Sequence, residues 1–294
     1  MTKIIKFRII IFIVSILISY LLSDNYQNML GFVLILSIGI IHGANDLLII
    51  KKYSKKDTLR GTMSYFLYYL SFVLLGFIFF YLFPSVALLT FVLVSIYHFG
   101  EQHWEANKLS NQINPVKRFF LFIFHGSLFF IIIFINNIEI VNTVLISFNI
   151  TPLIFSYLKI VLYALAFLYI LNLFYFRETR KHLFAEILFF SLLFLLTINS
   201  TLIFGFAIYF IFFHSLLSIK DQVKFIHDNN KPENIKKYIL SAIPYFILAI
   251  VFLILFYLLT DLGTTDILPI IFTFLAAITF PHVLVIEKMY RNMK

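Results

Sequence analysis

The sequence predicts an all-α fold, a polytopic integral membrane helical bundle with about ten transmembrane helices. Of its 294 residues, 62% are hydrophobic and only 13% are charged, and the mean hydropathy is +0.98. Soluble domains are nearer half apolar and a quarter charged, so a soluble core of this size cannot bury so much apolar surface. We therefore expect a single transmembrane domain over residues 1–294.

Successive apolar runs, each near the roughly 20 residues needed to cross the hydrocarbon, define the predicted spans. The first run ends in Leu-Leu-Ser-Asp without a small-x-small cleavage site, so we interpret it as a retained helix and not a signal peptide. The linker 137–152 is apolar and free of Lys and Arg, which predicts a short interfacial or re-entrant segment. The spans are 5–23, 29–50, 62–83, 84–104, 118–136, 153–175, 182–198, 201–219, 239–259 and 265–287.

The basic residues predict the orientation of these spans, because cytoplasmic loops carry the excess of Lys and Arg. They occupy both ends of the chain and every alternate connection, and only Lys159 stands elsewhere. This alternation predicts cytoplasmic N and C termini, and it accounts for the net charge of +9 without any nucleic-acid partner. The basic positions are Lys3, Lys6, Arg8, Lys51, Lys52, Lys55, Lys56, Arg60, Lys108, Lys117, Arg118, Arg177, Arg180, Lys181, Lys220, Lys224, Lys231, Lys236, Lys237, Lys288, Arg291 and Lys294.

Two features of the composition limit the chemistry. The sequence has no cysteine, which excludes disulfides, thiolate nucleophiles and cysteine-bound metals. A metal must therefore be held by histidine, carboxylate or water. The 39 Phe and 17 Tyr fit either an aromatic binding tunnel or the codon bias of an AT-rich genome, and both interpretations stay open.

Four histidines are predicted at a similar depth in the membrane. His42, His98, His214 and His282 lie on spans that run inward, and each precedes the next cytoplasmic Lys by six to ten residues. Imidazole suits iron, copper, zinc and nickel, and ionisable groups within a membrane usually mark function. The pattern predicts a metal site built from several helices, with His125 as a spare candidate. The alternative is that each histidine is a buried hydrogen-bonding or interface residue.

Carboxylates and glycines follow two of these histidines. Asp46 lies one turn after His42, and Glu101 lies three residues after His98. A metal-bound imidazole commonly donates its other N–H to a carboxylate, so both acids are candidates to orient a ligand; they fit interfacial positions equally well. Gly43 comes directly after His42, and Gly100 comes two residues after His98; both glycines permit close helix approach or substrate access.

Four short segments contain these histidines: Gly39-Ile40-Ile41-His42-Gly43-Ala44-Asn45-Asp46, Ser95-Ile96-Tyr97-His98-Phe99-Gly100, Phe213-His214-Ser215 and Phe280-Pro281-His282. Their sequences and order resemble the Brp/Blh family of bacterial and archaeal membrane β-carotene 15,15'-dioxygenases. The resemblance implies an Fe(2+) enzyme that cleaves the central double bond of β-carotene or a related carotenoid with O2, giving two retinal. It also implies a bacterial or archaeal cell (inner) membrane and retinal hand-over to a microbial rhodopsin.

The resemblance assigns the iron ligands to His42, His98 and His214. The third family motif normally supplies a second histidine one turn later, where this chain has Ser218. A hydroxyl is a poorer neutral ligand for iron(II) than an imidazole. The missing nitrogen can come from His282, its place can be filled by a water held by Ser218, or the site can keep three histidines. Pro281 is expected to perturb the helix at His282, and the family pattern does not make this motif a ligand, which favours a position of His282 nearer the substrate than the iron.

Further departures from the family pattern leave other functions open. Leu47 stands where many members have a second histidine, and His103 stands where an acidic residue is expected. These changes, like Ser218, are compatible with altered substrate choice or with a non-catalytic carotenoid-binding or rhodopsin-assembly protein. A histidine-lined transporter or proton relay is the other alternative, but it predicts ionisable groups at all depths. A carotenoid dioxygenase instead predicts a lipid-facing entrance and a dry apolar tunnel in the lipid bilayer.

Overall fold

The computed structural model describes residues 3–54, 59–106, 113–259 and 267–293, and within these ranges the chain is helical, with no β-strand. The all-α prediction is therefore confirmed. Four of the basic residues used to predict orientation lie outside the described residues, namely Lys55, Lys56, Lys108 and Lys294.

The chain divides into two compact units that are interleaved along the sequence. The first unit contains Met1–Ile35, Ser95–Ile146 and Thr151–His214, and the second contains Leu36–Val94, Ser147–Ile150 and Ser215–Lys294. The single transmembrane domain over 1–294 stays a prediction.

Helix α1 packs on α11 in the first unit, while α7 packs on α9 and α11 and α2 packs on α12. The core is aromatic: the Phe12 ring lies 5.3 Å from that of Phe189 and 4.6 Å from that of Phe213. The helices of this unit are α1 (Lys3–Leu21), α2 (Asp24–Leu34), the part of α6 (Pro84–Ala106) from Ser95 onward, α7 (Pro115–Asn136), α8 (Ile138–Ser147), α9 (Phe155–Tyr175), α10 (Arg177–Arg180), α11 (Leu183–Ile198) and α12 (Leu202–Tyr209).

Two glycines bring the backbones of α6 and α7 into contact. A Cβ added at Gly100 would collide with the backbone of Phe122, and a Cβ added at Gly126 would collide with the backbone of Ile96. Small residues at a helix crossing allow such close approach in membrane bundles. Gly100 therefore serves close helix packing directly beside His98.

Helix α15 packs on α4 and α5 in the second unit, and α14 packs on α3 and α13. Gly76 of α5 faces Ala277 of α15, where an added Cβ would lie 3.0 Å from the Ala277 Cα, so this crossing is also close. The helices are α3 (Ile40–Ala44), α4 (Asp46–Ser54), α5 (Leu59–Leu82), the start of α6, α13 (Leu216–His227), α14 (Pro232–Leu259) and α15 (Ile267–Asn292).

Local sequence signals set several of the helix ends. Asn114 Oδ1 accepts a hydrogen bond from the Val116 amide at 2.9 Å, and Pro115 occupies the first turn of α7, where its missing N–H is tolerated. Asp228 ends α13 in the left-handed region, at φ 65°, before Pro232 opens α14.

Eight helices among the described residues are long and apolar enough to cross a membrane. The chain is therefore a multi-pass membrane protein. Helices α1 and α11 coincide with the first and seventh predicted spans, and the total of ten stays a prediction. The 10-residue apolar helix α8 occupies the linker predicted as an interfacial or re-entrant segment. The eight helical stretches are Asp24–Ser54, Met63–Leu82, Pro84–Glu105, Pro115–Asn136, Phe155–Tyr175, Leu202–His227, Pro232–Leu258 and Leu268–Asn292.

The outer surface of the bundle is apolar, as contact with lipid requires. On α14, Val251 is 46% exposed and Leu258 is 70% exposed.

One of the basic residues used to predict orientation, Arg8, does not lie in a loop. It is buried, at 8% exposed, and lies over the Phe189 ring at 5.6 Å. Its place in the second turn of α1 explains the difference, since there it lies against α11 and not in a loop.

The predicted orientation leads to a direct test. We expect reporter domains fused in the loops near 51–61 and 220–238 to be cytoplasmic, because both loops carry the basic residues. A fusion within 149–152, which has no Lys or Arg, is the matched control and is expected outside. An external signal from either basic loop would contradict the orientation.

Candidate functional site

Two π-helical turns interrupt the helices that carry motif histidines. One spans Ile35–Gly39, shortly before His42, and the other spans Phe210–Ser215 and includes His214. A π turn inserts an extra residue into an α-helix and re-aims the side chains that follow it, and such turns are frequent at functional sites. The two π turns therefore mark His42 and His214 as candidate functional residues.

In the second unit, His42 and His282 face each other. Their Nε2 atoms are 2.9 Å apart, and the two residues are 3% and 5% exposed. His282 Nδ1 lies 2.9 Å from Asp46 Oδ1, and the Tyr69 hydroxyl donates to Asp46 Oδ2 at 2.8 Å. Because the carboxylate accepts the Nδ1 proton, the lone pair of His282 Nε2 points toward His42.

Asp46 thus contacts His282, a residue of another helix, although sequence spacing had suggested His42. The reason is local: α3 ends at Ala44, and Asn45 leaves the helical conformation at φ −97° and ψ 13°. This break removes the one-turn register that would stack Asp46 under His42.

A second polar group supports His42 from the opposite side of the ring. Gln222 Nε2 lies 3.3 Å from His42 Nδ1 and 3.0 Å from the His42 carbonyl oxygen. The same nitrogen donates to Ser218 Oγ at 3.1 Å, and Gln222 Oε1 accepts from the Tyr238 hydroxyl at 2.7 Å. Ser218, where the family pattern has a histidine, is therefore fully buried and hydrogen-bonded to Gln222.

In the first unit, His98 and His214 form a second buried pair. Their rings are T-shaped with centroids 4.9 Å apart, and the residues are 1% and 2% exposed. Phe99 lies 4.5 Å from the His214 ring, and Phe210 stacks on it at 5.4 Å. Gln102 Nε2 donates to the His214 carbonyl oxygen at 2.9 Å, so both the backbone and the ring of His214 are held in place.

A family model described as β-carotene 15,15'-dioxygenase matches residues 33–290, which is most of the chain. The chain belongs to the β-carotene 15,15'-dioxygenase family. The match includes all four motif histidines, and it confirms the resemblance inferred from the sequence. Neither the curated proteins nor the solved structures gave a match.

Two sets of the predicted site residues are brought together in this family member. The second unit brings together His42, His282 and Asp46, and Gln222 links Ser218 to His42. The first unit brings together His98 and His214. Glu101 is buried at 6% exposed, and its role beside a metal stays a prediction. The shared iron site of the three family-pattern histidines also stays a prediction.

This β-carotene 15,15'-dioxygenase family member has another buried polar cluster in its first unit. His103 Nε2 lies 2.9 Å from Glu186 Oε1, and the His125 ring stacks on that of His103 at 3.8 Å. His125 Nδ1 lies 3.2 Å from the Tyr169 hydroxyl, which donates to Glu186, and His125 Nε2 lies 3.3 Å from the Tyr209 hydroxyl. Both nitrogens of the spare candidate His125 thus have partners within the cluster.

Glu186 belongs to this cluster but was not among the site residues predicted from the sequence. It is 2% exposed and has His103, His125 and Tyr169 as polar neighbours. A signal was available, because Glu186 is an acidic residue inside a predicted span and such residues are costly without partners. His103, which departs from the family pattern, has Glu186 as its hydrogen-bond partner.

The second unit of this family member also contains a cavity of about 400 Å³. Its lining is almost entirely apolar and comes from α3, α4, α5, α14 and α15. Asp46 and Tyr69 belong to the lining, so the cavity borders the hydrogen-bonded group that includes His282 and His42.

Proposed function

We propose that this chain is an iron(II)-dependent dioxygenase that cleaves the central 15,15' double bond of β-carotene with O2, giving two retinal. The observation that carries the proposal is the buried His42–His282–Asp46 arrangement in a chain of this family. Imidazoles backed by a carboxylate are a donor set that suits iron(II). When bound, iron supplies the activation of O2 for insertion into the polyene.

In this proposal His42, His98 and His214 are the iron ligands, as the family pattern implies. The protein's own contribution is to hold these rings still. Gln222 fixes the backbone and ring of His42, and Gln102 with the packed Phe99 fixes His214. Rigid support of this kind keeps ligands at the metal in the required geometry.

We assign the nitrogen missing at Ser218 to His282. Two imidazole nitrogens that hold one ion would have to lie close together. The His42 and His282 Nε2 atoms are 2.9 Å apart, which fits neighbouring ligands of one ion. Asp46 holds the proton on His282 Nδ1 and leaves Nε2 available. Ser218 instead serves as a partner of Gln222.

The setting suits a lipid-soluble substrate and product. Carotenoids dissolve in the bilayer core, and helices with exposed apolar surfaces let them approach without an aqueous route. We place the protein in a bacterial or archaeal cell (inner) membrane, where the retinal formed is handed to a microbial rhodopsin. A non-catalytic carotenoid-binding or rhodopsin-assembly protein is the second candidate, and the serine at position 218 favours it.

Expression in bacteria that make β-carotene tests the function. We expect such cells to lose their orange colour and to accumulate retinal, because one carotene yields two retinal molecules. Cells that express the His98→Ala variant at the same level are the control and are expected to stay orange. Cells that lose their colour without forming retinal would indicate cleavage away from the central bond. Cells that keep their carotene although the protein is intact and loaded with iron would support the non-catalytic candidate.

A further inference from the structure

The apolar cavity of the second unit is continuous with the residues around His42. Ile40, Gly43 and Ala44, from the same short helix as His42, line it together with Asp46. A Cβ added at Gly43 would lie 3.7 Å from His282 Nδ1, so the glycine leaves the cavity open beside that ring. One wall of the cavity is thus formed by the backbone that presents the candidate ligand His42.

The cavity also reaches the outer surface of the bundle. Leu74 of α5 and Leu248 of α14 line it and are 43% and 49% exposed. Beyond this opening the two helices are closed by aromatic contacts, because the Phe77 ring lies 5.1 Å from Phe252 and 4.8 Å from Phe256. A long apolar molecule can therefore enter from the lipid and extend to the Asp46 side.

We propose that this cavity binds the ring-bearing half of the carotenoid, with the central double bond on the side bordered by Asp46. The proposal rests on the function proposed above and assigns where its substrate lies. Small-molecule sites measure about 300–1,000 Å³ and are mostly apolar. At about 400 Å³ the cavity is at the lower end of that range, which suits half of a forty-carbon carotenoid and not the whole molecule.

The absence of cysteine in this chain allows a test at single positions. Ala249 lines the cavity on α14, whereas Val251, two residues later, does not and is 46% exposed. Purified Ala249→Cys and Val251→Cys proteins are treated with N-ethylmaleimide, with and without β-carotene, under anaerobic conditions that prevent cleavage. The rate of alkylation is measured by mass spectrometry.

We expect β-carotene to protect position 249 and to leave position 251 unaffected. At a concentration about ten times the dissociation constant, mass action leaves about one site in ten empty, so alkylation at 249 slows about tenfold. Equal alkylation with and without carotene would overturn the proposal. Complete lack of alkylation at position 249 without carotene would also overturn the proposal, because a lipid acyl chain would then occupy the cavity.

Ala249→Phe provides an independent measurement, because the larger side chain fills the cavity. We expect this variant to keep its iron and to co-purify with about tenfold less β-carotene than Val251→Phe, its matched control. Equal carotene in the two variants would contradict the assignment. If β-carotene slows alkylation of Ala249→Cys but the protein makes no retinal, the binding site stands and the dioxygenase function is refuted. If the protein makes retinal but β-carotene does not slow this alkylation, only the binding site is refuted.

Discussion

Single replacements of His42, His98 or His214 by alanine are expected to abolish retinal formation and to lower the iron content of the purified protein. Loss of a residue that only hydrogen-bonds to a ligand typically costs about 10- to 100-fold in metal affinity or activity. Removal of a ligand itself is therefore expected to cost about 100-fold or more. Iron per polypeptide and retinal per cell are the two measurements.

His227→Ala is the matched control for these variants, because His227 ends α13 and is not part of any motif. We expect it to retain both iron and activity. Full iron occupancy in the His214→Ala protein would contradict the ligand assignment, even if retinal formation were lost. Low iron in the His227 control would instead indicate that the measurement responds to general destabilisation of the protein.

The positions of the helices were largely predictable because hydropathy is a property of each segment by itself. A stretch of apolar residues must form a helix in the bilayer whatever it packs against, since its backbone groups have no other partners there. The predicted spans 84–104 and 118–136 accordingly agree with α6 and α7 to within a few residues. Helix α8 was not among the predicted spans, and the interfacial or re-entrant position of the linker 137–152 stays a prediction.

The partners within the site were less predictable because they depend on contacts between helices. The motifs identified His42 and His282, and spacing identified Asp46 as a carboxylate beside a histidine. The helix break at Asn45, which directs Asp46 to His282, has no strong signal in the sequence. The π turns Ile35–Gly39 and Phe210–Ser215 were likewise not predicted, because π turns are rare and the apolar residues that form these two are equally at home in an α-helix.

Two histidines, His103 and His125, had no predicted partner in the sequence, and the structure gives them partners. His125 and His103 lie with Glu186 in one hydrogen-bonded cluster that is less than 3% exposed. Their positions at different points along the chain gave no sign of this grouping. Only the costly burial of Glu186 within an apolar helix indicated that partners must be present.

Replacement of His282 by alanine is expected to lower iron affinity about 100-fold or more, as for the other proposed ligands. Ser218→His is expected to bring no gain while His282 is present. The first effect follows from the 2.9 Å separation of the His282 and His42 Nε2 atoms. The second follows because His282 already supplies the nitrogen, while a larger imidazole at the fully buried position 218 crowds Gln222. Iron titration of the purified variants measures both.

The double variant Ser218→His/His282→Ala separates replacement from vacancy. Positions 214 and 218 are one helical turn apart, so a histidine at 218 moves the missing nitrogen to the place that the family pattern gives it. If His282 is the fourth ligand, the double variant should bind iron more tightly than His282→Ala alone. Ser218→Ala is the further control, because loss of iron in that variant would assign the position to a water held by the serine. If neither His282→Ala nor Ser218→His changes the iron content, a three-histidine site is the arrangement that remains, and the Asp46–His282 pair then acts on the substrate side of the site.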